Sequence, residues 1–192
     1  MAERFSMIEI LREFVRVVDV LGIEYMVTGS FAMSAYGEIR TTRDVDIVVQ
    51  LSEEHVLPLT KSFGERYYIS DNSIRLAIAN RSMFNIINSE WGTKIDCIVQ
   101  KDSDFARHSF DRRRQVVVSG IEFWTTTKED LILAKLSWAR DTHSEMQIRD
   151  IANLTANEYD LDYVNEWIAR IGLGDIWAEV EQWKTQHLRS GS

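Results

Sequence analysis

GSFAMSAYGEIRTTRDVD, residues 29–46, decides how this chain reads. The six residues before it, IEYMVT (23–28), mix β-branched and aromatic side chains as a short buried strand does, and Gly29-Ser30 then breaks the pattern. A helix is expected from Phe31. Glycine lets a backbone come close to a ligand, and unpaired N–H groups at a helix start attract anions. Gly29 and Ser30 are therefore candidates to hold phosphate oxygens, Ser30 with its hydroxyl as well. A loop carrying Gly37, Arg40 and Arg43 leads into DVDIVVQ (44–50). The period-two alternation of a strand sends Asp44 and Asp46 to one face and Val45, Ile47 and Val49 to the other, which faces a core. Two carboxylates two residues apart on one strand face lie roughly 7 Å apart. They offer the hard oxygens that Mg²⁺ prefers, so the stretch reads as a triphosphate and metal site.

Gly29-Ser30, a short helix and Asp44-Val45-Asp46, in that order, resemble the hallmark of the nucleotidyltransferases of the DNA polymerase β superfamily, with Gly-Ser in place of Gly-Gly. That family has a third carboxylate on a neighbouring strand, and KIDCIVQ (94–100) offers Asp96 between apolar residues. The resemblance implies an α/β fold: a polymerase β-like mixed sheet flanked by helices, followed by a C-terminal helical bundle. It implies Mg²⁺, with two ions possible, at Asp44, Asp46 and Asp96. It also implies transfer of a nucleoside monophosphate from an NTP to an acceptor hydroxyl that Asp96 activates, with Arg40 and Arg43 offsetting charge on the nucleotide. The plain alternative makes Gly29 a turn, Asp44 a cap and Asp96 a solvated strand residue. It leaves three acids beside buried strands with nothing to pair them, which costs free energy.

EDLILAKL (129–136) is similar to a stretch that follows the catalytic domain in small bacterial nucleotidyltransferases of the abortive-infection toxin type. IRDIANL (148–154) resembles the segment after it. In that family a lysine and a later acid join the site, which maps onto Lys135 and Asp150. Read from its own neighbours, Lys135 stands on a helical face with Leu131, Ile132, Trp138 and Ala139, where an ammonium needs a reason to be. It either snorkels to the edge of the bundle or reaches the nucleotide.

The 192 residues fit a compact catalytic domain, expected at 1–125, with a small helical appendage at 126–192. A formal net charge of −8 speaks against a protein that coats nucleic acid. The one dense basic run is Arg112, Arg113 and Arg114, either a solvated loop or a contact to nucleotide phosphate or an RNA backbone. Cys97 excludes an internal disulfide and reads as a small core residue. No apolar run nears the roughly 18 residues of a membrane span, and MAERFSMIEI lacks a signal peptide's apolar centre, so a cytoplasmic location is expected. The four histidines show no zinc-like spacing. There is no P-loop, Rossmann fingerprint or nucleophile elbow.

Helical spacing predicts an amphipathic helix over 5–21, with Ile8, Leu11, Phe14, Val15, Val18 and Leu21 inward and Gly22 as its stop. Ser52 with Glu53 and Glu54 predicts a helix to about 63 that Pro58 should kink or shorten. A strand near 67–69 and a short helix after Asp71 follow. Runs 82–88 and 94–99 predict a hairpin that carries Asp96 beside the Asp-x-Asp strand. A short helix at 103–110 and two strands turning at Gly120 complete the first part. Thr126-x-x-Glu129 and Thr142-x-x-Glu145 match capping boxes for helices at 127–140 and 143–156. Two more are expected near 160–171 and 175–188, knitted together by Trp138, Trp167, Trp177 and Trp183.

Three functional classes follow. The first is a toxin-type transferase using ATP or another NTP, whose acceptor is tRNA or a protein and which has an antitoxin partner. The second modifies a small molecule such as an antibiotic, which suits an acidic protein. The third is a non-catalytic binding or antitoxin module. Retention of all three carboxylates argues against the third, since binding alone does not require them.

Overall fold

The computed structural model describes residues 2–38, 42 and 44–187, with side chains from Met7 onward. The chain forms two compact units, Met1–Thr126 and Thr127–Ser192.

In the first unit, helix α1 (Ala2–Leu21) precedes strand β1 (Tyr25–Thr28). Its buried stripe is Met7, Ile10, Leu11, Phe14, Val15 and Val18, while Ile8 and Leu21 are only half-buried. The stripe thus starts one residue before the expected Ile8 and ends one turn before the expected Leu21. The chain then makes a four-residue helical turn, α2 (Gly29–Ala32), and a 3-10 turn (Met33–Tyr36) closed by Gly37 at φ 82°. The helical turn starts at Gly29, two residues before the expected Phe31.

Strand β2 (Asp44–Val49) is followed by helix α3 (Val56–Phe63), strand β3 (Tyr67–Tyr68) and helix α4 (Asp71–Asn80). The α-helix is shorter than the run from Ser52 suggested, starting only at Val56. A 3-10 turn over Glu53–His55 absorbs the start, so Pro58 falls in the first turn of α3, where its missing N–H has no helical partner to lose. Strands β4 (Met83–Asn88) and β5 (Lys94–Val99) form the expected antiparallel hairpin. Helix α5 (Asp104–Asp111) and strands β6 (Arg114–Val118) and β7 (Ile121–Thr125) complete the unit.

Among the described residues the seven strands form one mixed sheet in the order β3-β4-β5-β2-β1-β7-β6. The chemistry is set by the middle of that order. β2 runs antiparallel to β1, bringing Thr28 opposite Asp46, and parallel to β5, bringing Asp46 opposite Asp96. Alternation holds along β2: Val45, Ile47 and Val49 are buried while Asp44, Asp46 and Val48 are half-buried. The edge next to Gly29 is therefore made of three strand segments joined by hydrogen bonds, which fix backbone positions far better than a loop.

The second unit holds α6 (Lys128–Thr142), α7 (Glu145–Leu154), α8 (Leu161–Ile171) and α9 (Gly174–His187); position 188 lies outside the described residues. The caps differ from those expected. Thr127 caps α6 by accepting from the Asp130 N–H, and Ser144 is the N-cap of α7, while Thr142 is the last residue of α6. The bundle core is mainly aliphatic, with Leu131, Leu133, Leu136, Ile151, Leu154, Val164 and Val180 fully buried. Of the four tryptophans only Trp167 joins it; Trp138 is 57% exposed and Trp177 and Trp183 are half-buried. Among the described residues no helix is long and apolar enough to cross a membrane.

Candidate active site

The strand pairing gathers Asp44, Asp46 and Asp96 on neighbouring strands at one end of the sheet. Neighbouring strands lie about 4.8 Å apart, so Asp46 and Asp96 stand directly across from each other as like charges, an arrangement that disfavours itself without a compensating cation. A cleft lined by Gln50, Ser52, His55, Arg81 and Gln100 lies at the opposite ends of β2 and β5, away from these acids.

Asp96 is buried and both of its oxygens are engaged. Asn85 on β4, directly opposite in the hairpin, donates its amide to Oδ1. Lys94, two residues earlier on β5 and so on the same face, donates from Nζ to Oδ2 at 3.0 Å. The same ammonium lies 3.5 Å from Oδ2 of Asp44, the residue opposite it on β2. The hydrogen bond to Asp96 is the largest cause of a Lys94 pKa raised above the ordinary lysine value; burial opposes it, and the charges of Asp96 and Asp44 add to it. Neither Lys94 nor Asn85 stood among the sequence-based candidates. The signal for Lys94 was present: alternation alone puts positions 94 and 96 on one face.

Gly29 closes the other side of Asp46. It sits at φ 63°, in the left-handed region, and a Cβ placed on it would fall 2.0 Å from Oδ2 and 2.9 Å from Cβ of Asp46. Glycine is needed here for both space and conformation. Ser30 follows, half-buried, in a helical turn only four residues long. Any anion held here is met by individual N–H groups and the Ser30 hydroxyl, since so short a turn carries little summed dipole.

A divalent cation is chemically suited to this donor set. Asp44, Asp46 and Asp96 supply hard oxygens, and an ammonium already lies on two of them, standing in for positive charge. Among the described residues no group of three or more acids, histidines or cysteines is drawn together around a single point. Cys97, next to Asp96, faces the core, and burial pushes its thiol well above the usual range, which leaves it inert as a nucleophile.

The remaining candidates lie elsewhere. Arg40 and Arg43 are outside the described residues. Lys135, in the helical unit, is 4% exposed and neither snorkels nor stands alone. Its Nζ lies 2.8 Å from Asp150 Oδ2 and 3.1 Å from Gln147 Oε1, joining α6 to α7. Arg149 is exposed.

The basic run also differs from a solvated loop. Arg113 lies 4.3 Å over the Phe110 ring and 5.2 Å from that of Trp124, donates to the Phe110 carbonyl and pairs with Glu24 at 2.7 Å. Arg114 lies 4.7 Å over the ring of Tyr36, whose hydroxyl donates to the Thr126 carbonyl.

A family model described as "Nucleotidyltransferase of unknown function (DUF6036)" matches residues 6–187. Among solved structures, the solution structure of the antibiotic-resistance factor ANT(2'')-Ia is similar at 12% identity, over 95% of this chain and 99% of that one, with a TM-score of 0.58. The crystal structure of ANT(2'')-Ia with adenylyl-2''-tobramycin is similar at 12% identity, over 92% and 98%, with a TM-score of 0.54. The lincomycin-bound lincosamide adenylyltransferase LnuA is similar at 15% identity over 81% and 96%, with a TM-score of 0.48. No curated protein sequence matches the chain. At such identities the ANT(2'')-Ia structures speak for the fold, which is the expected α/β nucleotidyltransferase fold with its mixed sheet.

Proposed function

From the premise that this chain belongs to the DUF6036 nucleotidyltransferase family, we propose that it is a Mg²⁺-dependent enzyme moving a nucleoside monophosphate from an NTP to a hydroxyl acceptor. The carrying observation is the register that sets Asp46 against Asp96 on adjacent strands, with Asp44 on the same face and Gly29 packed on Asp46.

In this reading the acceptor oxygen attacks the α-phosphorus. The new P–O bond forms as the bond to the β-phosphate oxygen breaks, and pyrophosphate leaves. Mg²⁺ held by Asp44, Asp46 and Asp96, with two ions possible, would neutralise the triphosphate and stabilise the entering and leaving oxygens of the in-line displacement. Asp96 takes the acceptor's hydroxyl proton at Oδ2 or orients the base that does, and Asn85 fixes the carboxylate through Oδ1. Gly29 leaves room for Asp46 and brings the following N–H groups and the Ser30 hydroxyl to the β and γ phosphates. Arg40 and Arg43 remain sequence-based candidates for offsetting phosphate charge. Lys135 is already committed to Asp150, so its first role is to hold α6 to α7, and contact with a phosphate would require breaking that pair.

For the acceptor, a small polar molecule is the better-supported class. Arg113, the middle of the one basic run, is held by Phe110, Trp124 and Glu24, and the net charge of −8 disfavours an RNA surface. ANT(2'')-Ia, which shares the fold, is an antibiotic-resistance factor solved with adenylyl-2''-tobramycin. The second reading, tRNA or protein as in a toxin, rests on the resemblance around Lys135 and Asp150. Incubation of the chain with each α-labelled NTP, Mg²⁺ and panels of hydroxylated small molecules, tRNA and cell protein tests both. Label in a small acceptor, lost in Asp46→Asn, is expected, with ATP the first donor to try. Label in tRNA or protein alone overturns the acceptor class, and binding of NTP without transfer to any acceptor overturns the activity.

A further inference from the structure

Asp96 is a nearly dehydrated carboxylate, its side chain 10% exposed, and a carboxylate so placed needs partners for both oxygens. Asn85 supplies one without charge; Lys94 supplies the other with a full positive charge, which it shares with Asp44. Lys94 itself is 37% exposed and Asp44 39% exposed, so the ammonium enters this cluster from solvent. Lysine is a compact point charge on a flexible four-carbon stem, and it can leave along the path by which it came. A divalent ion held by Asp44 and Asp96 would meet that ammonium as a second positive charge on the same carboxylates, and like charges in a partly dehydrated site repel more strongly than in water.

We propose that Lys94 is the resident counter-cation of the carboxylate cluster: it neutralises Asp44 and Asp96 in the metal-free protein, competes with the divalent ion for them, and swings out when that ion binds. The inference rests on the metal reading of the three acids. It assigns to Lys94 a positioning role, separate from contact with nucleotide or acceptor. Asp44 and Asp96 stay bridged by the ammonium without metal, and divalent-ion affinity is set below what the oxygens alone would give.

The test is a Mn²⁺ titration of the full-length, metal-free protein without nucleotide, reading free Mn²⁺ by electron paramagnetic resonance, for wild type, Lys94→Met and Lys94→Arg. Lys94→Met, which keeps the stem and removes the charge, should bind Mn²⁺ at least about tenfold more tightly. Lys94→Arg, with its charge retained on a planar fork suited to carboxylates, should bind no more tightly than wild type. Circular dichroism confirms that each variant is folded. A second readout needs no variant: acylation of Lys94 in the wild type, mapped by mass spectrometry, should rise when Mg²⁺ or Mn²⁺ is added. Lys94→Met binding no tighter than wild type, or Lys94 acylation indifferent to saturating metal, overturns the role of Lys94 and leaves the metal reading standing. Absence of Mn²⁺ binding by all three proteins, with or without ATP, overturns the metal reading and this inference together.

Discussion

Gly29 and Asp46 are packed so closely that position 29 has no room for a side chain: a Cβ on Gly29 would overlap the Asp46 carboxylate at 2.0 Å and approach its Cβ at 2.9 Å. The second distance matters as much as the first. A clash with a carboxylate oxygen alone is relieved by rotating χ1, whereas a clash with Cβ requires β2 itself to shift.

Gly29→Ala should therefore move Asp46 and destroy nucleotidyl transfer, and the left-handed φ of 63° should add about 1–2 kcal/mol of destabilisation. Transfer assays and thermal melting check it. Near wild-type turnover in Gly29→Ala would show that the carboxylate geometry around Asp46 is not needed for activity.

Asp46→Asn and Asp96→Ala should separate two roles. Asp46→Asn removes one of two facing like charges, so the metal-free protein should melt at or above the wild-type temperature while Mn²⁺ affinity and transfer collapse. Asp96→Ala should lose transfer yet bind Mg-NTP within about tenfold, or about 1.4 kcal/mol, of wild type, because its proposed work is on the acceptor side. Calorimetric titration with a nonhydrolysable NTP decides this. Loss of nucleotide binding by Asp96→Ala as severe as by Asp44→Ala would remove the division of labour, and unfolding of Asp46→Asn would make Asp46 structural.

The strands and their carboxylates were legible because alternation is a strong local signal. Val45, Ile47 and Val49 could only be buried together, which fixed Asp44 and Asp46 on the other face, and the hairpin at 83–99 had one sensible pairing. Long-range partners were not legible. Asn85 reaches Asp96 through the hairpin register, and the space between Gly29 and Asp46 depends on β1 and β2 being antiparallel neighbours. The caps slipped because the run Thr125, Thr126, Thr127 offers several hydroxyls, and only the geometry of the first turn selects Thr127. Size misled for tryptophan: Trp138 is on α6 between Leu131 and Ala139 in sequence, yet it projects to solvent because the buried stripe runs through Leu131, Ile132, Lys135 and Leu136.

That stripe contains an ion pair, which gives a stability prediction. Lys135 and Asp150 are 4% and 2% exposed at 2.8 Å, so removing one partner takes the opposite charge away from a buried ion. Lys135→Met should cost about 3–5 kcal/mol of stability, and Lys135→Met with Asp150→Leu should recover much of it, since a hydrophobic pair can replace a buried ionic one. Urea unfolding of the two single variants and the double variant measures the coupling. A Lys135→Met protein as stable as wild type but defective in nucleotide binding would move Lys135 from the bundle's interior to the phosphates.

The last prediction concerns the acceptor, and it needs the three arginines treated separately. Arg113 stacks on Phe110 and pairs with Glu24, so Arg113→Ala should lose about 1–3 kcal/mol of stability, and any effect on RNA would be confounded by that loss. Arg112→Ala with Arg114→Ala leaves that stack and ion pair in place. Arg114 is exposed and its contact with Tyr36 is worth about 0.5–1 kcal/mol, whereas Arg112 is half-buried, so thermal melting of the double variant accompanies the binding assay. If the acceptor is a small molecule, wild-type binding to tRNA should be weak and show almost no salt dependence, and the double variant should behave identically. If these arginines contact RNA phosphates, log affinity should instead fall with log salt, and the slope should shrink by about 1.4–1.8 in the double variant, at about 0.7–0.9 per contact. That second outcome, with nucleotide binding unchanged, would overturn the small-molecule assignment and make tRNA the acceptor to pursue.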